Sequence, residues 1–204
     1  MTFISPPPGT RQADAIASIA TQTPGAPYVA SVTETSLYSF TIPANTMAIG
    51  TTYGLSLRGA LIQTAATASN WTWRYRIGGV AGTIICQNPA VMAYPATIFG
   101  APGRLLRIDG ILTCRATGAT GSINGHSQAR LPAMTTVAAT AAAYAEVSGV
   151  MIPWAGAAAA ATMSGAVAID TTLAQTIHIT AVSGTAVAGT SVAFHAGTVT
   201  LAKL

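Results

Sequence analysis

Apolar and polar positions alternate along most of this chain. Trp71, Trp73, Tyr75 and Ile77 interleave with Thr72, Arg74 and Arg76. Successive side chains of a strand point to opposite faces, so this spacing predicts a half-buried strand with three large aromatics on one side. The same period of two recurs at Tyr38, Phe40 and Ile42, which alternate with Ser39 and Thr41 before Pro43-Ala44-Asn45 stops the run. It recurs again at Leu55, Leu57 and Leu61, at Leu106 through Cys114, at Ile177 through Ala181, and over Val192–Leu201. Thr83–Cys86 reads as a short strand, and Gly78-Gly79 as the turn before it. Thr117-Gly118-Ala119-Thr120-Gly121 reverses the chain, and Ser122–Leu131 returns as a more polar strand, making a hairpin.

Short strands separated by Gly, Asn and Pro turns predict an all-β fold, a jelly-roll-like antiparallel β-sandwich over residues 28–204. Residues 1–27 differ. Pro6-Pro7-Pro8-Gly9 is extended, Pro24-Gly25-Ala26-Pro27 is a turn, and Ala13, Ile16, Ala17 and Ala20 give a possible short helix between them one apolar face. A helix that short needs something to dock on. The region is expected to be an extended N-terminal arm. Residues 136–163 are Ala-rich: propensity points to a helix over Ala142–Val147, whereas the Thr, Val and Gly interruptions fit strands and loops.

Charge changes this picture. Only 7 % of residues are charged, against about 25 % in an ordinary soluble domain. So few charges leave much of a monomer's surface to Ala, Thr, Gly and Ser, or bury it against other subunits. Eight Arg and one Lys against five acids give a formal charge of +4, but the basic residues are scattered. Without a basic run or helix, nucleic acid is not an expected partner. Val150–Ile169 carries no charge across twenty residues, yet it is mostly Ala and contains Pro153, Gly156 and Gly165, so no membrane span is expected. Met1–Pro8 lacks the basic start and apolar stretch of a secretory leader.

Candidate chemistry is sparse. Cys86 and Cys114 are too few for a disulfide framework, and Cys114 continues the inward pattern of its strand as a buried thiol. His126, His178 and His195 lie in separate segments without a ligand-spaced Cys/His pair, so neither metal nor cofactor is expected. Asp109 follows Arg107 on one outward strand face and reads as a salt-bridge partner or a solvated residue, while Asp170 before Thr171-Thr172 reads as a turn former. With no paired carboxylates and no Gly-x-Ser-x-Gly element, the chain is not expected to be an enzyme. Arg74 and Arg76 are expected to face solvent or a neighbouring subunit.

Thr33-Glu34-Thr35-Ser36-Leu37-Tyr38-Ser39-Phe40-Thr41-Ile42-Pro43-Ala44-Asn45-Thr46-Met47 resembles an opening found in small tailed-bacteriophage structural proteins. Those proteins show an acidic residue and Thr, a Leu-Tyr/Phe-Ser strand, then Ile-Pro-Ala-Asn-Thr-Leu with a Gly soon after. Met47 stands here in place of Leu, and Gly50 follows. Ile111–Gly121, Ile169–Thr172 and Ile177–Ala181 are also similar. The resemblance covers residues 28–204 apart from the Ala-rich middle. It implies a jelly-roll-like sandwich, often homotrimeric, on the exterior of a virion made in the bacterial cytoplasm. A capsid decoration (cement) or head-fibre protein is the first expectation. The arm would then lie on other virion proteins such as the major capsid protein, through Pro6, Pro7, Pro8, Arg11 and Ile16. The alternative is a tail-fibre receptor- or glycan-binding module presenting the Gln87–Pro102 loop, with Tyr94 and Phe99.

Overall fold

The computed structural model describes residues 28–63, 69–87, 92–94, 99–130, 166–184 and 186–202. Eleven strands follow one another within them: β1 (Tyr28–Ala30), β2 (Thr35–Ile42), β3 (Thr52–Gln63), β4 (Ser69–Ile77), β5 (Thr83–Gln87), β6 (Met92–Tyr94), β7 (Phe99–Ala116), β8 (Gly121–Arg130), β9 (Val167–Ile169), β10 (Gln175–Ser183) and β11 (Val187–Ala202). One sheet has the order β1-β11-β3-β7-β8-β9; the other runs β2-β10-β4-β5, with β6 also paired to β4.

The connectivity follows a simple nesting. β1 pairs with β11, β2 with β10, β3 with β7 and β4 with β5, all antiparallel. Successive pairs go to alternate sheets, so the chain is a long hairpin rolled over on itself. That is a jelly-roll β-sandwich, the fold that the periodicity predicts. β8 and β9 extend the six-stranded sheet beyond β7.

The core lies between the sheets, where alternation puts it. Trp71, Trp73 and Tyr75 are fully buried, with the two indoles stacked at 5.6 Å and 13°. Tyr28 meets Trp71 edge-on and Phe194 does the same to Trp73. From the other sheet, Leu55, Leu57, Leu61, Leu106, Ile108 and Leu112 close the layer. Cys86 and Cys114 are buried free thiols, as the inward pattern of Cys114 predicts.

The turns follow their residue chemistry. After β4, Gly78 and Gly79 take φ of +83° and +95°, a conformation that L side chains rarely adopt. Asp170 accepts a hydrogen bond from the Thr172 amide at 2.9 Å, an Asx turn. One expectation changes. Gln87–Pro102 is not a continuous loop, because backbone pairing with Ser69–Trp71 makes Met92–Tyr94 a strand and β7 begins at Phe99. The short strands β1, β6 and β9 give no legible alternation, being three residues each. The arm over 1–27 and the Ala-rich stretch 136–163 lie outside the described residues.

Candidate functional site

The outer face of the five-stranded sheet carries the densest polar cluster of the described residues. Arg74 and Arg76 point outward from β4 because Trp73 and Tyr75 point inward. The cross-strand partners on β10 are Thr180 opposite Arg74 and His178 opposite Arg76. The connection from β1 to β2 crosses this face and lays Glu34 on it. It is held in place there by a Ser183 N–H bond to the Ser31 carbonyl at 2.8 Å. Tyr28 Oη also lies 3.1 Å from the carbonyls of both Ser31 and Thr33.

Glu34 is the centre of the cluster. Its carboxylate accepts from Arg76 Nε at 2.6 Å and Arg76 Nη2 at 2.8 Å. Arg74 Nη1 and the Thr180 hydroxyl donate to it as well. Arg76 then reaches the Gly82 carbonyl at 2.7 Å, and Arg74 Nε reaches Gln87 at 3.0 Å. Burial pushes the Glu34 carboxyl up, but the Arg76 and Thr180 hydrogen bonds and the Arg74 charge outweigh it and hold the group below the usual range. Thr180 is fully buried although its strand position faces outward, because this carapace covers it.

A second, more open cluster sits on the outer face of the six-stranded sheet. Asp109 accepts from Ser56 Oγ at 2.7 Å, from Arg58 at 3.3 Å and from Arg107. Burial raises the Asp109 carboxyl, and the Ser56, Arg107 and Arg58 hydrogen bonds bring it below its ordinary value. Of the two readings of Asp109, salt bridge or solvated residue, the structure has the salt bridge, with Arg58 as an added partner from the neighbouring strand. Each sheet thus carries one carboxylate between two guanidiniums and a hydroxyl.

Such clusters are arranged as fastenings. A carboxylate already accepting from two Arg side chains and a hydroxyl, with a lowered pKa, is a poor general base at neutral pH. Among the described residues no group of three or more His, Cys, Asp or Glu is placed to hold a metal ion. No helix among them is long and apolar enough to cross a membrane.

The residues singled out in the sequence are dispersed. Arg74 and Arg76 share the outer face, but their side chains are only 23 % and 12 % exposed and are engaged with Glu34. Tyr94 stands opposite Ser69 on the five-stranded sheet and Phe99 opposite Gln63 on the six-stranded one, so the two belong to different sheets. His126 is exposed opposite Ile111, and His178 Nδ1 pairs with Ser36 Oγ at 2.9 Å. Pro6, Pro7, Pro8, Arg11 and Ile16 lie outside the described residues. Glu34 is the residue the sequence reading passed over. Its signal is the pair of outward arginines on one strand in a chain with five acids. No family model matches the chain, and neither curated proteins nor solved structures show a significant similarity to it.

Proposed function

We propose that the chain is a structural protein of a tailed-bacteriophage virion, a trimeric decoration or head-fibre component on the particle exterior. The observation that carries this reading is the Thr33–Gly50 phrase, whose distinctive residues each have a structural duty in the jelly roll. Glu34 clamps the crossing between sheets; Tyr38, Phe40 and Ile42 enter the core. Asn45 takes φ of +58° and Gly50 of +83° in the β2–β3 corner, and Met47 is buried where Leu is usual. A rigid sandwich held by paired charges suits a cementing role. Binding only to the assembled lattice stabilises that lattice by mass action.

Cryo-EM of a virion containing this chain tests the reading. Copies over capsid threefold or quasi-threefold positions are expected, and density confined to the tail overturns the decoration role. Deleting residues 1–27 is expected to abolish particle binding, and unchanged binding would remove the arm from the mechanism.

A tail receptor-binding module is the second reading, favoured by one observation. Ile49, Val80 and Leu173 are 69 %, 41 % and 59 % exposed, each in a connection at the same end of the sandwich. Hydrogen bonds from Asn45 to Thr171 and from Gly78 to Thr176 bring those connections together. Loss of host-cell binding on replacing these three residues with Ser would favour it.

A further inference from the structure

Arg58, Arg107 and Arg130 stand opposite one another on β3, β7 and β8, so the register puts three arginines in one row across three neighbouring strands. Strand spacing makes that row about 10 Å long. Like charges directly opposite one another destabilise a sheet, so the row is a cost to the fold. The next row holds Ser56, Asp109 and Gln128, and Asp109 is the only acid on this sheet among the described residues. Three arginines against one carboxylate leave a formal excess of two positive charges. Along β7 the outward side continues into Leu105 on one flank of the row and Ile111 on the other, both exposed. The two sheets treat the same arrangement differently. At Glu34 the β1–β2 connection is laid over the arginines, and Arg76 and Arg74 keep 12 % and 23 % exposure. At Asp109 the arginines are open, Arg58 at 35 % and Arg107 at 42 %. An Arg side chain carries five N–H donors, and each of these two gives Asp109 one bond.

We infer that the outer face of the six-stranded sheet docks an acidic protein segment that also carries apolar side chains. Its carboxylates occupy the arginine row, and its apolar side chains rest on Leu105 and Ile111. The chain supplies the precedent: a carboxylate on a crossing segment, Glu34, is what the outward arginines of the other sheet bind. The planar fork of Arg suits carboxylates in this role. The flanking aliphatics argue for a protein over a nucleic acid or an acidic polysaccharide, because phosphates and sugar carboxylates have no use for exposed Leu and Ile. Arg set among apolar side chains with few other charges is the composition of a protein interface. A second copy of this chain is not the occupant favoured, since its described acids are engaged: Glu34 and Asp109 with arginines, Asp170 with Thr172. The inference goes beyond the virion reading and does not depend on it.

The probe is the peptide Leu-Thr-Glu-Thr-Glu-Thr-Leu. Extended, it sets its carboxylates and flanking leucines on one side, at the spacing of Leu105 through Ile111. Titrated into the full chain and followed by amide NMR, it is expected to shift residues 56–58 and 105–111 saturably. Replacing both Glu by Gln, or both Leu by Ser, is expected to weaken binding about tenfold or more. Arg58→Gln with Arg107→Gln is expected to do the same to the original peptide. No saturable shift at these residues overturns the proposal, as does undiminished binding of either altered peptide. An oligothymidylate or polygalacturonate that shifts the same residues as strongly overturns the choice of a protein partner and makes the face a general polyanion site. Should the arginine variant fail to fold, the peptide replacements decide, since they leave the protein untouched.

Discussion

The Tyr75 hydroxyl stands over the α-carbon of Gly110: a Cβ added at Gly110 would lie 2.3 Å from Tyr75 Oη and 2.8 Å from Cζ. Tyr75 is fully buried, and its hydroxyl lies 3.2 Å from Ser127 Oγ, which in turn lies 3.0 Å from the Asp109 carbonyl. The Ser127 hydroxyl donates toward Tyr75 Oη and toward the Asp109 carbonyl, which ties the ring to β7 and β8. Burial pushes the Tyr75 hydroxyl far above the ordinary tyrosine range, so it stays protonated at any working pH.

Gly110→Ala is therefore expected to destabilise the fold by about 1–3 kcal/mol, the cost of overpacking a filled core. Adding Tyr75→Phe removes the clashing oxygen and is expected to recover part of that loss. Urea denaturation of the two single variants and the double one checks it, since contacting residues show non-additive effects. Strict additivity would mean that Gly110 is constrained by something other than Tyr75.

The aromatic stripe shows how far the sequence carries. Trp71, Trp73 and Tyr75 are legible because alternation with Thr72, Arg74 and Arg76 leaves only one face for the core. Strand pairing order is not written in periodicity, so the nesting of β1 on β11 and β2 on β10 has no local signature. The candidate site divides the same way. Asp109 and Arg107 sit two residues apart and read as a pair, whereas Glu34 lies 42 positions from Arg76 and meets it only through folding. Tyr94 and Phe99 read as one loop because residues 92–94 are too few to show alternation; backbone pairing to β4 places Tyr94, and pairing to β3 places Phe99.

Glu34→Gln is expected to cost about 1–3 kcal/mol in urea denaturation. Breaking a fully buried pair costs ~3–5 kcal/mol, and partial solvent access at Arg74, 23 % exposed, reduces that figure. The penalty arises from guanidiniums left without a counter-charge. Arg76→Leu introduced together with Glu34→Gln should accordingly cost less than the two changes summed. An effect within error of zero for Glu34→Gln would reduce the cluster to an exposed ion pair.

Cys86 and Cys114 are both buried, and burial pushes both thiols up, offset in part at Cys114 by its contact with the Ala116 carbonyl. Thiolate is the reactive form, so both groups are shielded twice over. Labelling by a thiol reagent at neutral pH is expected to be on the order of a hundredfold or more slower in the folded protein than in urea, because it waits for opening of the core. Fast labelling of Cys86 in the folded state would show that the β5 side of the sandwich opens on its own.

Acid should weaken the protein through the same two carboxylates that fasten its sheets. Glu34 and Asp109 both have folded-state pKa values below their ordinary values of 4.5 and 3.8. A carboxylate of that kind contributes stability above its unfolded pKa and loses it as pH falls through the folded value. The contribution of both groups is thus complete at pH values above about 5 and is withdrawn below about 4. Protonation also leaves Arg74 beside Arg76 and Arg58 near Arg107 without an intervening anion. Urea midpoints measured from pH 7 downward should fall steeply for the wild type and more gently for Glu34→Gln with Asp109→Asn, the two curves converging at the acid end. Parallel curves would show that neither carboxylate gains from its arginines on folding, and that the clusters are a feature of geometry without energetic weight.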